Sequence, residues 1–125
     1  MEEHYLSIRN WAEDDRPREK LLKKGVSALS DAELLAILIG SGSKNESAVE
    51  LCRKILKSSH DNLNELARLS INELCRFKGI GEAKAVTICA ALELGKRRKT
   101  NEVLERIRIS QSSDLYELFE PILLD

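Results

Sequence analysis

In Phe77-Lys78-Gly79-Ile80-Gly81-Glu82-Ala83-Lys84-Ala85 an apolar residue precedes Gly-Ile-Gly, and a helix-starting run with a lysine in its first turn follows. The glycines permit a hairpin too tight for side chains. They also leave backbone N–H groups bare at the start of the next helix. Those groups, with the positive end of the helix dipole, attract an anion. Lys84 adds a mobile positive charge beside them. Ile80 is expected to plug the space between the two helices, whether the turn binds a ligand or only shapes the chain.

Working outward, the chain reads as helices joined by short turns. Arg18 to Lys24 is expected as a short helix, with Pro17 near its first position and Gly25 after its end. Ser30-Asp31-Ala32-Glu33, Ser47-Ala48-Val49-Glu50 and Ser70-Ile71-Asn72-Glu73 are capping boxes, each a serine cap with a glutamate that reaches back. The helix after Ser30 is apolar nearly all round through Leu34, Leu35, Ile37, Leu38 and Ile39, which predicts a central, buried element ended by Gly40-Ser41-Gly42. Ala48, Leu51, Cys52, Ile55 and Leu56 recur at helical spacing and predict an amphipathic helix. Asn62 to Arg68 reads as a short helix, and the helix opened by Ser70 is expected to run into Lys78. After Gly81, Ala85, Ile88, Cys89 and Leu92 mark the buried face of a helix reaching Lys96 or beyond. Ile107-Arg108-Ile109-Ser110 alternates like a short strand, and Ser113 to Leu123 reads as a further helix.

The 125 residues suit one domain with a core of Leu, Ile, Val and Ala, since 42% are hydrophobic and only 4% aromatic. No apolar run is long enough to span a bilayer, and Met1 to Asn10 carry no apolar signal core, so a cytoplasmic location is expected. Cys52, Cys75 and Cys89 are far apart and read as reduced, buried thiols. No metal site and no nucleophile–base pair is legible; His4 and His60 stand apart from clustered carboxylates. The net charge of −1 argues against a generic nucleic-acid binder, but its distribution is uneven. Arg76, Lys78, Lys84, Lys96, Arg97, Arg98 and Lys99 face only Glu82 and Glu93 in the same stretch. That fits a local phosphate site; alternatively, Lys96 to Lys99 simply complement a helix C-terminus.

Two segments share a layout. Ser30-x-x-Glu33-Leu34 leads to Gly40-x-Gly42, as Ser70-x-x-Glu73-Leu74 leads to Gly79-x-Gly81. Two such hairpins packed as a pair would grip phosphates on both strands across one groove. The first copy is poorer: Ser41 replaces the apolar middle residue, and Ser43 to Glu46 delay the next cap. An ordinary glycine C-cap and loop explains it better than a working phosphate site.

The Phe77–Ala85 stretch resembles the helix-hairpin-helix motif of DNA-binding proteins. With Arg16-Pro17-Arg18-Glu19-Lys20-Leu21, Leu29-Ser30-Asp31-Ala32-Glu33-Leu34-Leu35-Ala36-Ile37-Leu38 and Gly40-Ser41-Gly42, it resembles the N-terminal region of the RadC family of bacterial proteins, from about Trp11 to the end of the chain. The resemblance implies a helix-hairpin-helix domain followed by a metalloprotease-like domain with a zinc site built from an upstream glutamate and a His-x-His…Asp set. The family name ties it to DNA repair. No His-x-His occurs here, so zinc-dependent hydrolase activity is not expected of these residues, and no cofactor is expected in them. The expected organisation is an N-terminal segment 1–15, a helix-hairpin-helix domain 16–99, a linker 100–106 and the truncated start of a metalloprotease-like domain 107–125. The expected fold is all-α: a small helical bundle containing the hairpin, with room for a tandem pair, and a C-terminal stub.

Two functional readings stand. In the first, the chain is a non-sequence-specific DNA-binding module. Lys78, Gly79, Ile80, Gly81, Glu82, Ala83 and Lys84 hold backbone phosphates, with Gly40, Ser41, Gly42 and Lys44 as a secondary candidate site. Binding is then weak and salt-dependent, because no helix presents a row of Arg, Asn or Gln suited to base readout. In the second, the chain is a protein-interaction or regulatory domain that positions substrate for the absent hydrolase domain, with Trp11 as an anchor or as a lid on the core. A glycosylase-like role has only Asp31 and Lys84 to draw on, and both have ordinary capping or phosphate roles. An unpaired C-terminal strand would be an edge open to another chain, which leaves the oligomeric state open.

Overall fold

The computed structural model describes the backbone of residues 2–113 and the side chains of residues 12–111. All regular structure in it is helical: α1 (Glu2–Lys24), a 3-10 turn (Val26–Ala28), α2 (Asp31–Ile39), α3 (Ala48–Ser58), α4 (Leu63–Leu66), α5 (Ile71–Leu74) and α6 (Glu82–Ser113). The Trp11 side chain and the helix expected after Ser113 lie outside the described residues.

Local chemistry explains most helix starts. Ser30 and Ser70 form complete capping boxes, each side chain accepting from the backbone of Glu33 or Glu73 while that glutamate takes the serine N–H. The backbone bond from Ser30 is the main reason the Glu33 carboxyl lies below its ordinary pKa. The box expected at Ser47 is half formed: Ser47 Oγ accepts from Glu50 N at 3.3 Å, but Glu50 is exposed and does not reach back. Asn62 caps α4 through the N–H groups of Asn64 and Glu65.

The core lies in the unit covering residues 1–90. α2 packs on α3, and α1 touches both. α3 buries Ala48, Leu51, Cys52, Ile55 and Leu56, the amphipathic face expected. Leu66, Leu74, Ile80, Ala85 and Ile88 join them. α2 is less enclosed than expected, for Leu38 stays on the surface.

Four expectations are corrected. α1 does not start at Pro17; it runs from Glu2, with a buried Pro17 in its interior. A proline there removes one helix hydrogen bond, at a typical cost of about 3 kcal/mol. Anchors on either side hold the helix: Asp14 one turn before, and Lys20, which pairs with Glu33 of α2 at 3.2 Å, one turn after. The helix opened by Ser70 stops at Leu74, and turns carry the chain to Gly79. Cys75 therefore falls beyond that helix and is exposed, and Cys89 is half-buried; of the three free thiols only Cys52 is buried.

The fourth correction concerns residues 107–110, which are helical, part of α6, and not a strand. No glycine or proline follows Gly95 before residue 113 to stop the helix, and a lone strand would have no partner. Residues 100–106 are likewise helical. Lys96 to Lys99 consequently lie inside a long helix, not at its C-terminus, so dipole complementarity does not explain them. Arg97 pairs with Glu93 at 2.9 Å, and Arg98 faces Glu102 at 3.9 Å.

Candidate nucleic-acid interface

The turn from Phe77 to Gly81 is shaped by particular atoms. Gly79 has φ +101, a conformation that side-chain-bearing residues rarely adopt, and a Cβ there would lie 2.9 Å from Ser43 Cβ and 3.0 Å from Leu51 Cδ2. Ile80 N donates to Phe77 O at 3.0 Å, closing the turn, and the Ile80 side chain is buried. Gly81 O then accepts from Ala85 N at 3.0 Å, the first bond of α6.

Gly81 differs from the glycine beside it. Its φ is not positive, and a Cβ added to it would meet nothing within 4 Å. Neither backbone conformation nor packing requires glycine at this position. Gly81 also stands where Ser30, Ser47, Asn62 and Ser70 cap the preceding helices with side-chain oxygens. Lacking a side chain, it leaves the first-turn N–H groups of α6 without a local acceptor of that kind. Glu82 and Ala83 are exposed in that turn. Lys78 is exposed and makes no ion pair with the described residues.

Lys84 is placed differently from the sequence expectation. Its ammonium donates to the carbonyls of Ser41 at 2.7 Å, Gly79 at 3.0 Å and Gly42 at 3.4 Å. The two glycine turns thus meet at one lysine. Gly40 has φ +76 and lies near the Arg18 guanidinium; its N–H closes α2 on Ala36 O. Gly42 has no room for a Cβ, which would overlap the backbone of Glu46, Ser47 and Ala48. Ser43 and Glu46 form an isolated antiparallel bridge, and Glu46 also pairs with Lys54 at 2.6 Å. Lys44 is exposed in the same loop.

Asp14 was missed by sequence reading. Its buried carboxylate accepts from Ala48 N at 2.6 Å and Gly42 N at 3.3 Å, capping α3 from α1 and holding the first glycine turn. No local period announces a contact between residues so far apart. Glu13 and Asp15 beside Asp14 are acidic too, so nothing local set it apart. Cys52, beneath these groups, has its thiol pushed up to about 12, chiefly by burial. Among the described residues no group of three or more His, Cys, Asp or Glu is gathered as metal ligands. None of the described helices is long and apolar enough to cross a membrane.

The pattern of the UPF0758 N-terminal family matches residues 8–86. This chain belongs to the UPF0758 family. It is 55% identical over 123 residues to a UPF0758 protein of Flavobacterium johnsoniae, covering 98% of this chain and 53% of that one. UPF0758 proteins of Trichlorobacter lovleyi and Porphyromonas gingivalis are each 44% identical over 121 residues, covering 95% and 96% of this chain and 53% of theirs. The chain spans about half the length of the curated relatives it matches. No solved structure matches it.

Proposed function

We propose that this chain is the DNA-binding helical module of a RadC-like UPF0758 protein, gripping backbone phosphates with a helix-hairpin-helix turn at Gly79-Ile80-Gly81. The observation that carries this reading is Gly81: a glycine that neither φ nor packing demands, at the uncapped start of a 32-residue helix. A bare backbone there suits close approach of a phosphate, whose oxygens would take the N–H groups of Glu82 and Ala83. Exposed Lys78 supplies the nearby charge. Contact to phosphate alone makes the binding sequence-tolerant and salt-dependent.

The test is a fluorescence-anisotropy titration of the chain against duplex, single-stranded and branched DNA at two salt concentrations. Affinity that falls with salt, and with Lys78→Glu in a folded protein, supports the module. Absence of binding to all three at low salt removes it. A protein-docking role draws on one further observation, the exposed Val103, Leu104 and Ile107 on the second half of α6. Zinc-dependent hydrolysis is proposed only for the portion of the relatives beyond the span matched here.

A further inference from the structure

We propose that Lys84 is a positioning residue that ties the Gly40-Ser41-Gly42 and Gly79-Ile80-Gly81 turns into one rigid unit, and that it makes no phosphate contact of its own. This rests on the DNA-binding reading of the second turn for its consequence, but not for its evidence. An ammonium has three N–H donors and no acceptor. Here the three carbonyls of Ser41, Gly79 and Gly42 lie 2.7, 3.0 and 3.4 Å from Nζ. The ammonium is turned onto these carbonyls, with close bonds to Ser41 and Gly79 and a longer one to Gly42, so its donors are spent on the protein rather than aimed at a phosphate oxygen. The side chain is half-buried, unlike exposed Lys78.

The surroundings fit a tie. Gly42 is held on both sides of its residue: its carbonyl receives Lys84, and its N–H donates to Asp14 at 3.3 Å. The same carboxylate takes Ala48 N, so α1, the first turn and the start of α3 are fixed together. On the other side, Gly79 lies so close to Ser43 and Leu51 that a Cβ would meet them at 2.9 and 3.0 Å. The two turns touch there, and their carbonyls would repel without a cation between them. Lys84 supplies that cation from the first turn of α6, the helix whose start is proposed to receive the phosphate. It therefore acts on DNA binding by fixing the N–H groups of Glu82 and Ala83 in place.

The experiment compares Lys84→Met, Lys84→Arg and Lys78→Met in the whole 125-residue chain. Three readouts are taken: thermal midpoint, amide exchange at Gly42 and Ser43, and the slope of log affinity against log salt for a short duplex. For Lys84→Met we expect a midpoint lowered by about 4–8 °C, faster exchange at Gly42, and an unchanged salt slope. Lys84→Arg keeps the charge but presents a planar fork that does not converge on three carbonyls, so it recovers only part of the midpoint. Lys78→Met should leave the midpoint alone and reduce the slope by about one. The proposal is overturned if Lys84→Met keeps the wild-type midpoint and Gly42 exchange, or lowers the salt slope as Lys78→Met does. If Lys84→Met does not fold, Lys84→Arg decides: a wild-type midpoint would overturn the tie. If the wild-type chain binds no DNA, the DNA-binding reading fails, while midpoint and exchange still judge the tie.

Discussion

Replacing Gly81 by aspartate should make the protein more stable and a worse DNA binder, an opposition that a purely structural turn does not produce. The stability side follows from the geometry. A Cβ at residue 81 meets nothing within 4 Å, and φ is not positive, so the side chain enters open space without strain. The carboxylate then caps the first turn of α6. Aspartate in place of glycine at a helix N-cap gains a few tenths of a kcal/mol. Its charge at the positive end of the dipole gains about 0.3–1 kcal/mol more at low salt. The sum, about 0.5–1.3 kcal/mol, corresponds to a midpoint raised by roughly 2–8 °C in a domain of this size. On the binding side, the carboxylate occupies the N–H groups meant for phosphate and places like charges about 4 Å apart, costing roughly 1–4 kcal/mol. Affinity at low salt should fall at least about fivefold. Gly81→Asn separates the effects, because it caps without charge. Differential scanning calorimetry and anisotropy on the same samples read both quantities. A folded Gly81→Asp protein with wild-type affinity would refute the phosphate site. A midpoint lowered by several degrees would refute the claim that nothing in the fold needs glycine there.

Gly42→Ala should behave in the opposite way, because its Cβ would overlap the backbone of Glu46 and Ser47, which cannot step aside cheaply; we expect a loss of about 1–3 kcal/mol by denaturant titration, and a cost below 0.5 kcal/mol would contradict that packing. A thiol reagent at pH 8 should label exposed Cys75 quickly and leave Cys52, buried and pushed up to about 12, unlabelled until the protein unfolds; prompt labelling of Cys52 in the native state would contradict its burial. His60 should titrate above the ordinary imidazole value of about 6.5, because the Glu65 carboxylate, 2.8 Å from Nδ1, favours the protonated ring. Any stability from that pair is complete below about 6.5 and fades as pH rises through the elevated value, and NMR should show Glu65→Gln bringing the titration back down.

How much was legible can be judged residue by residue. Ser30 and Ser70 could be read from sequence because a capping box is local, its partners three residues apart. The buried face of α3 was legible for the same reason, as a period of helical spacing. Pro17 misled because a proline most often opens a helix, whereas here tertiary anchors at Asp14 and Lys20 hold α1 on both sides of it. Ile107 to Ser110 misled because two isoleucines alternate with polar residues within a run that is otherwise continuous helix. At the Ser47 box only the Glu50 N–H bond to Ser47 Oγ forms, while Asp14 from α1 takes the neighbouring Ala48 N–H, a long-range contact that no local pattern shows. At the site, Gly79 and Ile80 were legible because turn geometry is local, whereas Gly81, expected from the same tight turn, meets no such demand from φ or packing. The role of Lys84 was not: from sequence it is a lysine after a hairpin, and only the approach of residues 41 and 42 turns its ammonium inward.

The central claim, that phosphate meets the backbone at the start of α6, is tested most directly by a 15N-resolved NMR titration of the chain with a short duplex at low salt. The account predicts that the amides of Gly79, Gly81, Glu82 and Ala83 shift first and furthest, and that added salt reverses the shifts. Shifts confined to other surfaces, or none at all with DNA in excess, would contradict it.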